Sequence, residues 1–241
     1  MDNKVILITG KNHEMNISLA KNLVSQKIKV ACCVYSQDLP LYLEFENKTD
    51  VQVFKCDFKN EDELMALERQ VEENFGMVDS IIFTQNEQLQ KSFLEIDEEE
   101  WDYVYHSALQ DYFFLVKTFT QSMISKKKPC KVICISTTSS IIPRVNASCY
   151  SSAFAAQSLL DACLALELGK YDISFNSICI NSKEQVHTYV KNGIRHNQVL
   201  TAFISIEQLT DIVLSLLLDP WNALTGKKIV LDSGEILGDL N

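Results

Sequence analysis

The sequence predicts an α/β fold, a doubly wound parallel seven-stranded sheet with helices on both faces. Three observations predict it. Short apolar runs of β type recur along all 241 residues. Segments of helical period separate them, with apolar residues three and four apart. Strand–helix–strand units of this length close as right-handed crossovers, which build a parallel sheet covered on both faces. No internal repeat, low-complexity segment or linker interrupts the alternation, so residues 1–241 are expected to form one domain.

The elements follow in order. Val5–Thr9 is a buried strand. Ile17–Gln26 is a helix with Leu19, Ala20, Leu23 and Val24 on one face. Ile28–Ser36 and Val51–Cys56 are the second and third strands. Asn60 is placed to cap a helix over Glu61–Phe75 that stops at Gly76. Ser80–Phe83 is the fourth strand. Asp97 and Glu100 form a capping box for one long helix from Glu98 to Ser125. Lys131–Ser136 is the fifth strand, followed by a helix from Tyr150 to Gly169. Ser174–Cys179 is the sixth strand. Residues 182–204 are the least regular part. Ser205 caps a helix ending near Asp219-Pro220, and Lys228–Asp232 is the last strand.

Composition narrows the partners. About half of the residues are apolar, enough for a sizeable core. The net charge is −10, which argues against nucleic acid and against anionic membrane surfaces. The first residues enter a strand directly, so no signal peptide is expected, and no apolar run approaches a membrane span. The eight cysteines sit mostly in apolar patterns. They form neither a C-x-x-C pair nor a zinc-spaced Cys/His cluster. Buried reduced thiols, a cytoplasmic location and no metal are the expectations. Lys126-Lys127-Lys128 reads as a solvated loop. Glycine is scarce, seven residues where an average composition gives about seventeen.

The stretch from Tyr150 to Gly169, YSSAFAAQSLLDACLALELG, resembles the active-site helix of the short-chain dehydrogenase/reductase family, whose signature is Tyr-x-x-x-Lys. Other landmarks fall in that family's order. They include Ile8-Thr9-Gly10, Cys56-Asp57, Trp101-Asp102, Ile135-Ser136-Thr137, Leu166-Glu167-Leu168, Phe175-Asn176-Ser177, Leu224-Thr225-Gly226-Lys227 and Leu231-Asp232-Ser233-Gly234. The resemblance covers nearly the whole chain and is nearest to the classical branch with the 3-oxoacyl-carrier-protein reductases. It implies a Rossmann-like sheet, an NAD(P) cofactor and hydride transfer.

The residues that would carry this chemistry are mostly replaced. The family's first loop is T-G-x-x-x-G-x-G. Thr9 and Gly10 remain, while the later glycines fall on Glu14 and Asn16. Those glycines let backbone N–H groups meet the pyrophosphate at a helix N-terminus. A carboxylate about 4 Å from a phosphate costs roughly 4 kcal/mol at an effective dielectric near 20. That is about half of the roughly 8 kcal/mol behind micromolar binding. Glu14 can instead turn outward and complement the helix dipole. Asp57 matches the aspartate that contacts adenine. Val34 and Tyr35 stand where an acid usually meets the ribose. Lys11 can reach a phosphate or remain a loop lysine. The N-N-A-G stretch falls on Phe83-Thr84-Gln85-Asn86 and the P-G pair on Ile180-Asn181.

Four positions carry catalysis in the family. The asparagine falls on Ala108, the serine on Thr137 beside Ser136, the tyrosine on Tyr150 and the lysine on Phe154. That lysine holds the ribose and lowers the tyrosine pKa. A free phenol ionises near pH 10, and apolar surroundings disfavour the anion further. His13, His106, His187 and His196 do not replace what is lost. By helical geometry His106 should not share the face of Ala108.

Three readings follow. The preferred one is a catalytically degenerate family member, retained for binding or assembly, with Tyr150, Thr137, Thr9, Gly10 and Asp57 as remnants of the sites. The resemblance implies pairing through the 98–125 and 150–169 helices, as a homodimer or with an active relative. Ala153, Ala155 and Ala156 keep the second helix slim, and Leu159, Leu160, Leu164 and Leu168 supply apolar contact. The second reading is a working NAD(P)(H)-dependent ketoreductase that uses Tyr150 and Thr137. The third is a cleft made apolar by Phe154, Phe83 and Ile180 that takes a different ligand.

Overall fold

The computed structural model describes residues 4–11, 13–35, 45, 49–84, 89–181, 204–218, 223–234 and 236. The irregular 182–203 region, with His187 and His196, lies outside them. So do Gln85-Asn86, Asp219-Pro220 and the side chain of His13.

Seven strands form one sheet. They are β1 (Val5–Gly10), β2 (Lys29–Val34), β3 (Val51–Lys55), β4 (Ser80–Thr84), β5 (Cys130–Thr137), β6 (Ile173–Ile180) and β7 (Lys227–Leu231). The order is β3-β2-β1-β4-β5-β6-β7, and every pairing is parallel. The strand order reverses between β1 and β4. In such sheets ligands meet the crevice at the carboxyl ends of the strands flanking that reversal. Gly10 pairs with Thr84 at this point.

Helices cover both faces, as the sequence predicts. On one side lie α2 (Glu61–Phe75), α4 (Asp111–Ser125) and α5 (Ser148–Leu168). Leu64, Leu67, Val71, Leu115, Phe119 and Ala165 meet Leu7, Ile81, Val132 and Phe175 there. On the other side α1 (His13–Ser25) and α6 (Ile206–Leu218) bring Leu19, Leu23, Leu209 and Val213 against Ile6, Ile8, Ile82 and Ile178. A third cluster joins α5 to the short helix α3 (Glu98–Tyr105) through Val104, Ala108, Tyr150 and Phe154.

Local chemistry sets the ends. Asn60 accepts from the backbone N–H groups of Asp62 and Glu63, and three acids occupy the first turn of α2. Asp97 and Glu100 form the capping box of α3. Ser205 and Gln208 exchange the equivalent bonds at α6. Within the lysine run, Lys126 pairs with Glu68 and Glu72, and Lys128 with Asp79. Only part of that run is therefore simply solvated.

Two elements differ from the sequence reading. Helix α1 starts at His13, four residues before the expected Ile17. The expected Glu98–Ser125 helix is continuous in path but contains a π turn over His106–Gln110, between α3 and α4. One wide turn delays the helical phase. Just after it the consecutive residues Asp111 and Tyr112 both point inward, 3% and 0% exposed.

Candidate functional site

Side-chain and backbone hydrogen bonds tie the switch point together. Asn16 is buried in the first turns of α1. Its amide donates to the Gly10 carbonyl at 3.0 Å, and its Oδ1 accepts from the Thr84 hydroxyl at 2.6 Å. The Lys11 N–H donates to the Thr84 carbonyl at 3.1 Å. Thr9 is buried and donates to the Cys33 carbonyl at 3.2 Å. Gly10 has φ of +108°, and a Cβ placed on it would lie 1.9 Å from the Thr84 carbonyl oxygen. Packing of β1 against β4 thus requires glycine there, with or without a nucleotide. Glu14 lies exposed in the first turn of α1, the outward arrangement that complements the dipole.

Tyr150 and Phe154 occupy successive turns of α5, and their ring centroids are 4.4 Å apart. They are 4% and 1% exposed. Val104, Ala108, Ala147, Cys149 and Ala153 surround them, with Leu89, Ile96 and Tyr105 packed on the outside. Thr137 ends β5 and caps the short turn Thr138–Ser140, where its Oγ accepts from the Ser139 N–H at 3.2 Å. Ser140 donates to the Thr137 carbonyl at 2.7 Å. The hydroxyls of Ser136 and Ser139 are buried without a hydrogen-bond partner.

A cavity of about 1090 Å³ opens at the carboxyl ends of β1, β2 and β3. Lys11, Tyr35, Lys55, Cys56, Asp57, Lys59 and Glu63 line one side. Glu98, Glu99, Asp102, Tyr103, His106, Ser107 and Asp111 line the other. Tyr35 donates a short hydrogen bond to Asp111 Oδ2. Burial holds the Asp111 carboxyl above its ordinary pKa, against the Tyr35 bond and the Lys11 charge. The Lys11 ammonium sits 4.1 Å from the centroid of Tyr103 and 5.4 Å from that of Tyr35. Asp57 is exposed and accepts from the Lys59 N–H at 3.0 Å. His106 donates from Nδ1 to the Asp102 carbonyl at 2.6 Å. Among the described residues, no three His, Cys, Asp or Glu side chains are grouped to hold a metal ion. None of the described helices is long and apolar enough to cross a membrane.

A family model described as short chain dehydrogenase matches residues 4–197. The chain belongs to the short-chain dehydrogenase family. It is 26% identical over 241 residues to a 3-oxoacyl-acyl-carrier-protein reductase, FabG, of Buchnera aphidicola, covering 96% of each chain. It is 20% identical over 187 residues to a 2,3-dihydro-2,3-dihydroxybenzoate dehydrogenase of Bacillus subtilis, covering 76% of this chain and 71% of that one. The solved sorbitol-6-phosphate 2-dehydrogenase SrlD of Erwinia amylovora superposes with a TM-score of 0.83. That match has 20% identity and covers 95% of this chain and 98% of that one, which speaks for the fold.

In this member of the short-chain dehydrogenase family, the positions where the sequence reads differently from the family pattern make structural contacts. Asn16 and Thr84 bond to each other. Asn181 donates to the Asp232 carbonyl at 2.9 Å and ties β6 to the turn after β7. Among the described residues, Phe83, Phe154 and Ile180 do not come together to line one apolar cleft. Phe83 is buried against Tyr112, Phe154 is buried against Tyr150, and Ile180 packs on the α1 and α6 side. None of the three lines the cavity, whose walls are mainly charged.

Sequence reasoning missed Asp111, Tyr35 as its donor, and a buried network centred on Asp161. Asp161 accepts from Tyr112, from Gln157 at 2.8 Å and from Ser177 at 2.6 Å. Burial pushes its pKa up to about 6, opposed by those three donors. The available signal was two acids, Asp111 and Asp161, at helical positions whose neighbours are apolar.

Proposed function

We propose that this chain has lost nicotinamide-dependent hydride transfer and serves as a binding or assembly subunit. The burial of Phe154 against Tyr150 carries this reading. The family's lysine would stand at that position, charged and facing a ribose; here an apolar ring fills the space. Phe154 itself brings no charge to the Tyr150 phenol from that position. The fully buried Ala108 offers no group for a proton relay. The Asn16–Thr84 stitch supports the same reading at the phosphate end. Tyr150, Thr137, Thr9, Gly10 and Asp57 are then remnants, kept by packing and turn geometry. The eight free thiols fit a reducing compartment such as the cytoplasm.

The assembly role rests on the outer faces of helices 98–125 and 150–169. A groove of about 630 Å³ runs between them, lined by Tyr105, Leu109, Phe113, Ala156, Leu159 and Cys163 among others. Leu159 is 65% exposed and Leu166 87% exposed. Contiguous apolar surface of this kind marks an interaction site. The partner is a second copy or an active relative presenting the same pair of helices. Light scattering on the purified chain is expected to give a dimer, and Leu159→Glu to shift it to monomer. A wild-type monomer that also fails to join a relative on co-expression would refute the assembly role.

A further inference from the structure

We propose that the charged cavity beside the π turn binds a small organic ammonium ion. Asp111 is the first ground. It is 3% exposed and lines the cavity, and its Oδ1 has no hydrogen-bond partner while Oδ2 is engaged by Tyr35. An acceptor buried without a partner costs roughly 1–3 kcal/mol, more when charged. A ligand N–H entering the cavity would supply the missing bond.

The second ground is the aromatic surface beside Asp111. The rings of Tyr103 and Tyr35 already hold an ammonium, that of Lys11, at 4.1 and 5.4 Å. Aromatic faces at this range attract a cation through their quadrupole. The site therefore displays the recognition of a cation by an element of the chain itself. Sign of charge agrees, since six carboxylates and three lysines line the walls. A cavity of about 1090 Å³ is at the upper end of the size that holds a small molecule. The ligand class is a primary amine carrying an aromatic or apolar tail. Its ammonium donates to Asp111 Oδ1 and its tail lies along the tyrosines.

The test is calorimetric titration with phenethylamine, which is protonated at pH 7, beside its neutral counterpart 2-phenylethanol. The amine is expected to bind, and the alcohol to bind at least about tenfold more weakly. Asp111→Asn keeps the acceptor for Tyr35 and should weaken the amine by about tenfold or more while leaving the alcohol unchanged. Lys11→Met removes the resident cation and should tighten amine binding. Equal binding of amine and alcohol, or no amine binding at all, would overturn the proposal. So would an amine affinity unmoved by Asp111→Asn. Should that variant fail to fold, Lys11→Met decides: unchanged or weaker amine binding counts against the site.

Discussion

Gly10, at the end of β1, and Asn16, in the first turns of α1, are hydrogen-bonded neighbours that stand differently against the family pattern. Gly10 keeps the family's residue, and the carbonyl of Thr84 explains why, because no Cβ fits. Asn16 departs from the pattern and fills its space with two hydrogen bonds. Gly10→Ala should lose roughly 3 kcal/mol or more in urea denaturation, through both the contact and the left-handed backbone. Asp161 yields a pH signature. Its pKa rises from an ordinary 3.8 to about 6 in the folded chain. The folded state then binds more protons than the unfolded state between those values. Its contribution is fully present below about pH 4 and is lost as pH rises through about 6. The rise corresponds to roughly 3 kcal/mol. The stability difference between wild type and Asp161→Asn should therefore change by up to that amount between pH 4 and pH 7, in favour of wild type at the acid end. A pH-independent difference would show that the carboxyl is not displaced.

At the scale of elements, sequence patterns locate every strand of the sheet, with ends shifted by one or two residues. The caps at Asn60 and Asp97 were legible because Asn or Asp followed by a glutamate three residues on has a local physical cause. Asn60→Ala should lower stability by about 1 kcal/mol, read from the chemical denaturation midpoint. The π turn was not legible. The residues just beyond it, Asp111 and Tyr112, bond Tyr35 and Asp161, partners 76 and 49 residues away that no local period encodes. The early start of α1 was missed for a related reason. Its first turns are held by Asn16 reaching across to β4, a tertiary contact that no local period encodes.

For the whole molecule, alignment with a family pattern shows which positions have changed but not what the replacements do. Phe154, Phe83 and Ile180 suggested an emptied apolar cleft. Folded, they complete three different packed regions, while the open volume lies beside them and is charged. Glu14 turns outward, and the Asn16–Thr84 bond lies behind it. On the reading proposed above, these contacts take up the space of a nucleotide's pyrophosphate and nicotinamide ends. Calorimetric titration of the wild-type chain with NADH and with NADPH tests it most directly. The account predicts no saturable binding of either nucleotide up to about 1 mM, corresponding to less than about 4 kcal/mol. Saturable binding of either one at micromolar concentration would contradict it.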